Sequence, residues 1–158
     1  MTRSLLILLA LLALAPPAAA QDLAVDEAAV RACFDAAAVG ETRPRCLGRA
    51  SDRCQDAPGG ATTPGIAACI AAETAVWDAI LNEEYRATRA ALASGDPALP
   101  DALRDAQRLW IAYRDAECAL AHARWADGTV RGIVAANCLL VFTAERAAEL
   151  RDMRGEGG

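Results

Sequence analysis

The sequence predicts an all-α protein, a five-helix bundle of antiparallel helical hairpins held together by disulfides. Alanine, leucine, arginine and glutamate dominate the 158 residues, and no sustained alternation of apolar and polar residues indicates a strand. Proline and glycine occur in clusters between apolar stretches of helical period. Six cysteines form three pairs placed symmetrically about glycine-containing turns. These observations predict helices joined by short turns, each turn closed by a covalent bridge.

The cysteine positions also predict which cysteines are joined. In an antiparallel helical hairpin, residues equidistant from the turn lie at the same height and face each other at disulfide distance. The midpoints between consecutive cysteines fall at or beside Gly40, Gly60 and Gly128. Of the many pairings that six cysteines allow, this symmetry selects one. The predicted bridges are Cys33–Cys46, Cys54–Cys69 and Cys118–Cys138.

The first twenty residues have the features of a cleaved secretory signal peptide. Arg3 supplies a positive charge, residues 5–15 form a short apolar run, and Ala18-Ala19-Ala20 fits the small-residue cleavage rule. The run is too short to span a bilayer comfortably, and no cysteine follows the cleavage site for lipid attachment. We therefore expect residues 1–20 to be removed and the mature protein to be periplasmic or secreted, without a membrane anchor. Structural disulfides persist in such oxidising compartments.

The remainder divides into an N-terminal helical hairpin at residues 21–56, a helical core at residues 57–154 and a disordered tail at residues 155–158. In the hairpin, the first helix is expected to begin near Asp26 as N-cap and to end at Gly40. The second is expected to start at Pro44, since proline is favoured in a first turn, and to carry Cys46 and Cys54 near one face.

Three longer helices are expected in the core. The third begins at Thr63 and stops at Ser94-Gly95-Asp96-Pro97, the fourth runs from about Pro100 to Trp125, and the fifth follows Asp127-Gly128-Thr129 and continues through Leu150. The fifth helix is expected to be the most buried element. The apolar residues expected to face the core are Ile66, Ile70, Trp77, Ile80, Leu81, Tyr85, Leu92, Leu103, Trp110, Tyr113, Ala121 and the run 135–142.

Several polar residues fall within these apolar stripes. Glu73 and Glu84 lie near Trp77 on the third helix, and Asn137 lies on the inner stripe of the fifth. On the fourth helix the polar residues that flank Trp110 are Gln107, Arg114 and Glu117. Because buried charge is costly unless it is paired, we expect a third-helix carboxylate to meet Arg114. Such a pair either fixes the register of two helices or belongs to a polar groove that binds a small ligand.

Composition and missing motifs limit the possible functions. The formal net charge is −5 and all 16 basic residues are arginine, which disfavours nucleic acid and anionic membranes and favours either a cationic partner or plain solubility. The chain contains no His-Glu-x-x-His, Gly-x-Ser-x-Gly, phosphate-loop or dinucleotide motif, and no Cys-x-x-Cys. The single histidine, His122, is expected to be exposed. We therefore expect no cofactor and no enzymatic activity.

Two motifs in the second half carry a resemblance. Leu-Asn-x-x-Tyr occupies residues 81–85, and Gln-x-x-Trp-x-x-x-Arg-Asp-x-x-Cys occupies residues 107–118. With Gly128-Thr129 and Cys138 downstream, the pattern over roughly residues 54–150 resembles the LprI-type lysozyme inhibitor family, small exported helical proteins with conserved cysteines. The residues that carry the family motif here are Trp77, Leu81, Asn82, Tyr85, Gln107, Trp110, Arg114, Asp115 and Arg146.

The resemblance implies an envelope protein that binds and blocks a muramidase, a cationic lysozyme. The motif residues fall mostly on inward stripes, so we expect them to be mainly structural. The expected partner contacts are the turn residues Asp127, Thr129 and Arg131, beside the Cys118–Cys138 bridge. Two alternatives stay open: a cell-envelope scaffold or assembly factor with another protein partner, and a small-ligand binder that uses the region of Glu73, Glu84 and Arg114.

Overall fold

The computed structural model describes residues 23–155, which form five α-helices and no strand. The expected all-α class with five helices is confirmed over this range. The predicted signal peptide lies outside the described residues, as does the tail after Gly155, the last residue of the fifth helix. The helices are α1 (Glu27–Ala36), α2 (Arg49–Cys54), α3 (Thr63–Leu92), α4 (Leu99–Ala123) and α5 (Arg131–Gly155).

The second helix starts later than the sequence predicts. It begins at Arg49 because Gly48 takes a left-handed conformation with φ 89°, which interrupts a right-handed helix. The preceding residues form a separate turn in which Leu47 N donates to Pro44 O at 3.0 Å. Cys46 therefore lies in this turn and not on the face of α2 that carries Cys54. The expected N-cap of α1 is confirmed, since Asp26 Oδ1 accepts from Ala29 N at 3.0 Å.

The core is built around α3. This helix packs against α5 along much of its length and also contacts α1 and α2, whereas α4 packs mainly on α5 and only slightly on α3. By length and composition α3 could cross a membrane, but here it is the central helix of the core. The buried apolar residues of the core include Val30, Phe34, Ile70, Trp77, Ile80, Leu81, Leu103, Leu140, Ala144, Ala147, Ala148 and Leu150.

The burial of α5 differs from the expectation. Within the run 135–142 the fully buried residue is Leu140, and burial is concentrated further along, between Leu140 and Leu150. Asn137 is exposed rather than on the inner stripe. Tyr113 of α4 is also 56% exposed rather than inward, with its ring edge-to-face against Phe142 at a centroid distance of 5.6 Å. The residues of the run 135–142 therefore face α4 and solvent as well as α3.

Three disulfides join neighbouring segments. The Cα atoms of each pair are 5.5 to 5.8 Å apart, and the bridges close segments with sequence separations of 13, 15 and 20. One bridge ties α1 to the turn before α2, the next ties α2 to α3, and the last ties α4 to α5. These are the bridges that the sequence predicts, Cys33–Cys46, Cys54–Cys69 and Cys118–Cys138.

Polar contacts hold the N-terminal segment on the core. Arg151 of α5 lies over the Phe34 ring and donates to the carbonyl oxygens of Phe34 in α1 and of Ala38 just beyond it. Arg31 of α1 binds Glu83 of α3 through two hydrogen bonds of 2.9 and 3.0 Å. These bonds from the guanidinium hold the pKa of Glu83 below its ordinary value.

Candidate functional site

A groove of about 280 Å³ lies between α3 and α4. It exists because α4 packs on α5 and leaves α3 largely uncovered on this side. Six of its lining residues belong to the family motif quoted above. The lining residues are Asp78, Leu81, Asn82, Tyr85, Arg104, Gln107, Arg108, Trp110, Ile111 and Arg114.

The floor of the groove is formed by buried and half-buried motif residues. Leu81 and Gln107 are buried, and Trp110 is half-buried against the core. Gln107 Oε1 accepts from Arg146 Nε of α5 at 2.9 Å, and Arg146 also pairs with Glu149 at 3.0 Å. Gln107 therefore connects α4 to α5, and the motif residues of this floor lie along a surface groove.

The rim of the groove carries several arginines. Arg114 stacks over the Trp110 ring at 5.1 Å and binds Asp115 Oδ1 through bonds of 2.9 and 2.8 Å. Arg104 binds Asp105 and Asp101, and these carboxylates raise its pKa above the ordinary value. Guanidinium groups beside an aromatic ring can hold an anion that has a flat or apolar part.

The acidic side of the groove is formed by α3. Asp78 Oδ2 accepts from Asn82 Nδ2 at 3.0 Å, and the same amide nitrogen donates to Asp78 O at 2.8 Å. Asn82 is exposed, so this motif residue does not lie on the inward stripe where it was expected. Residues 23–155 contain no group of three or more His, Cys, Asp or Glu side chains arranged to hold a metal ion.

The expected pair between a third-helix carboxylate and Arg114 is wrong. Glu84 instead contacts Arg154 of α5, with 2.5 Å between Oε2 and Nη1. Glu73 faces α2, where its two oxygens accept from Gly48 N at 2.9 Å and Ser51 N at 2.7 Å. A groove does lie between the third and fourth helices, but neither glutamate lines it.

Sequence reasoning missed four groove residues, namely Asp78, Arg104, Arg108 and Ile111. A signal was present, because Arg104 and Arg108 are four residues apart and so share one face of α4. The helical period shows which residues lie together, but not which neighbouring helix leaves them uncovered.

The turn between α4 and α5 is the other candidate surface. Asp127, Thr129 and Arg131, the residues selected from the sequence, are all exposed. Arg131 Nη1 donates to Ala126 O at 2.7 Å, so this side chain also stabilises the turn itself. Trp125, at the start of the turn, is 51% exposed and adds a large apolar surface that the sequence reasoning did not select. His122 is exposed on α4, as expected.

A family model described as lysozyme inhibitor LprI matches residues 54–150. The chain belongs to the LprI family. The LprI match starts at Cys54 and therefore contains two of the three bridges, while α1 and the Cys33–Cys46 bridge precede it. Both the groove and the α4–α5 turn lie inside the matched residues.

One curated relative is similar to part of the chain. An uncharacterized protein of Rhizobium meliloti is 37% identical over 86 residues, which is 48% of this chain and 62% of the relative. The chain therefore spans less than two thirds of that protein's length. No solved structure matches the chain.

Proposed function

We propose that the mature chain is an exported protein that binds a muramidase and blocks its activity. The observation that carries this proposal is the LprI family match over residues 54–150. The three disulfides fit an oxidising extracellular compartment, consistent with removal of residues 1–20 on export. The net charge of −5 favours association with a cationic enzyme, because opposite charges steer the two proteins together.

Within this proposal the partner contact is the α4–α5 turn, with α4 and α5 taken as an antiparallel hairpin. The Cys118–Cys138 bridge joins α4 and α5 close to the turn, and Asp127 and Thr129 are exposed within the turn. A covalently restrained turn loses little conformational freedom on binding, which favours affinity. Asp127 supplies the negative charge that a cationic enzyme would contact.

The direct experiment is titration of the purified mature protein against a panel of lysozymes of different types. We expect loss of muramidase activity at micromolar concentrations or below with at least one enzyme. Absence of inhibition across the panel would reject the inhibitor function and favour the scaffold or assembly alternative. The contact is tested separately with Asp127→Lys and Thr129→Arg, which should weaken inhibition at least ~10-fold if the turn binds the enzyme.

The matched control is Asp56→Lys, which makes the same charge change at an exposed residue between α2 and α3. It should inhibit like the parent protein. If the parent inhibits and the turn variants inhibit equally well, the function stands and the α4–α5 turn is not the contact.

The α3–α4 groove supports a second candidate function, the binding of a small anionic ligand. Its arginine-rich rim and its Trp110 and Tyr85 side chains favour a carboxylate attached to a ring or an apolar group. The test is calorimetric titration of the mature protein with a panel of aromatic and sugar carboxylates. Binding that Arg108→Glu abolishes, and that the turn variant Asp127→Lys leaves unchanged, would support this second candidate; absence of binding across the panel would count against it.

A further inference from the structure

The outward face of α4 carries a regular apolar stripe. Leu109, Tyr113 and Leu120 are 74%, 56% and 54% exposed, and the exposed Ala116 lies between the last two. Their spacing of four, three and four residues places all four within about 60° of one another around the helix. A monomer that exposes large apolar side chains in such a continuous row leaves a surface suited to a protein contact.

The residues that flank this stripe include small alanines, one acidic residue at one end and one basic residue at the other. Exposed alanines such as Ala106 and Ala123 flank it, so another helix can approach α4 closely. Along the described residues of α4 and its C-cap, the charged side chains within about 60° of the stripe centre are Asp105 and Arg124. One lies a turn before Leu109 and the other a turn after Leu120.

The stripe is complementary to itself when its direction is reversed. The centre of symmetry is the point between Arg114 and Asp115. Three pairs of positions lie at equal distances on either side of it: 113 and 116, 109 and 120, and 105 and 124. In an antiparallel pair of α4 helices that cross at this point, residues at equal distances lie at the same height. Leu109 then meets Leu120 of the second copy, the bulky Tyr113 meets the small Ala116, and Asp105 lies level with Arg124.

The reversed direction is also the one that the charges favour. In a parallel pair in register, Asp105 would lie beside Asp105 and Arg124 beside Arg124, which places like charges together. Antiparallel pairing replaces both repulsions by two attractions of opposite sign. It also sets the N-terminus of one helix beside the C-terminus of the other, which suits their opposite dipole charges.

We propose that the protein forms a two-fold symmetric dimer through α4, with the apolar stripe of each copy packed antiparallel on that of the other. The interface is isologous, so each residue contact occurs twice. The α3–α4 groove is lined by α4 residues that do not belong to the stripe, so it takes no part in the proposed contact. This proposal is independent of muramidase binding.

The test is sedimentation equilibrium of the purified mature protein over a range of concentrations. The parent is expected to dimerise with a micromolar or lower dissociation constant, and the double variant Leu109→Glu/Leu120→Glu is expected to dissociate at least ~100-fold more readily. Val39→Glu is the matched control, because Val39 is 81% exposed and lies in the α1–α2 connection, outside α4. It should dimerise like the parent, and circular dichroism should show all variants folded.

A charge exchange tests the antiparallel arrangement. Asp105→Arg and Arg124→Asp should each weaken the dimer several-fold, because each places like charges side by side. Asp105→Arg/Arg124→Asp should restore the dimer, because positions 105 and 124 then again carry opposite charges. A parent that stays monomeric up to about millimolar concentration would overturn the proposal. So would a dimer that survives Leu109→Glu/Leu120→Glu, a charge exchange without rescue, or a monomer that floats with phosphatidylcholine vesicles through the same stripe.

Discussion

Glu73 Oε1 accepts a hydrogen bond from the indole Nε1 of Trp77 at 3.2 Å, and the two side chains are 1% and 0% exposed. The same carboxylate accepts from the backbone of Gly48 and Ser51 at the start of α2. A glutamate of α3 thereby satisfies N–H groups that a helix start leaves unpaired. The short α2 is positioned by this buried acid as well as by its disulfide to α3.

Glu73→Gln should destabilise the protein by about 2–4 kcal/mol. The amide NH2 of glutamine would face N–H donors at one of the positions where Glu73 now accepts, leaving buried groups unsatisfied. The measurement is the free energy of unfolding in urea with the disulfides intact. Glu117→Gln, at an exposed position on α4, is the matched control and should change stability by no more than about 0.5 kcal/mol. Equal stabilities of the two variants would contradict the proposed role of Glu73.

The two helical glycines Gly65 and Gly132 should respond oppositely to alanine. A Cβ atom at Gly65 would lie 2.0 Å from Gly59 O and 2.8 Å from Gly60 O, so the loop before α3 would have to move. Nothing lies within 4 Å of a Cβ atom at Gly132. We expect Gly65→Ala to destabilise by about 2 kcal/mol or more and Gly132→Ala to stabilise by up to about 1 kcal/mol through helix propensity. Thermal unfolding of both variants checks the sign; stabilisation by Gly65→Ala would contradict the close approach.

Arg146 should matter more for stability than Arg114. The side chain of Arg146 is 12% exposed and joins α5 to Gln107 of α4, whereas Arg114 pairs with its exposed neighbour Asp115. Arg146→Ala should cost about 1–3 kcal/mol because it leaves Gln107 without this partner, and Arg114→Ala about 1 kcal/mol or less. Chemical unfolding curves of the two variants test the order. A larger loss for Arg114→Ala than for Arg146→Ala would contradict this order.

The Arg31–Glu83 pair should make stability depend on acid pH. Arg31 lowers the pKa of Glu83 in the folded state. The contribution of the pair to the free energy of unfolding is therefore fully present above the pKa of Glu83 in the unfolded chain. It is lost as the pH falls through the pKa of Glu83 in the folded protein. The difference in unfolding free energy between the parent and Glu83→Gln should be constant near neutral pH and should shrink below about pH 4.5. A difference that persists unchanged at about pH 2 would exclude the ion pair as its source.

Local patterns in the sequence predicted most of the helices and all of the bridges. Periodicity placed Trp77, Ile80 and Leu81 in the core, and symmetry about the turns selected the cysteine partners. The late start of α2 was missed because it depends on the backbone conformation of a single residue, Gly48. Glycine permits a left-handed conformation but does not require it.

The partners of the charged residues could not be predicted in the same way. The helical period correctly placed Glu73 on the buried face of α3, but it does not say which segment covers that face. The covering segment is α2, so Glu73 never meets Arg114. The α3–α4 groove has the same origin, because α5 rather than the sequence neighbour α4 is the main partner of α3.

The order of the disulfides along the chain has a consequence for how the protein matures. The first cysteine is joined to the second, the third to the fourth and the fifth to the sixth, across separations of 13, 15 and 20 residues. An oxidase that links thiols in the order in which they emerge would produce the native pattern directly. Correct bridging then needs no isomerase to rearrange mispaired thiols, and each newly oxidised loop is covalently complete before the next pair of cysteines arrives.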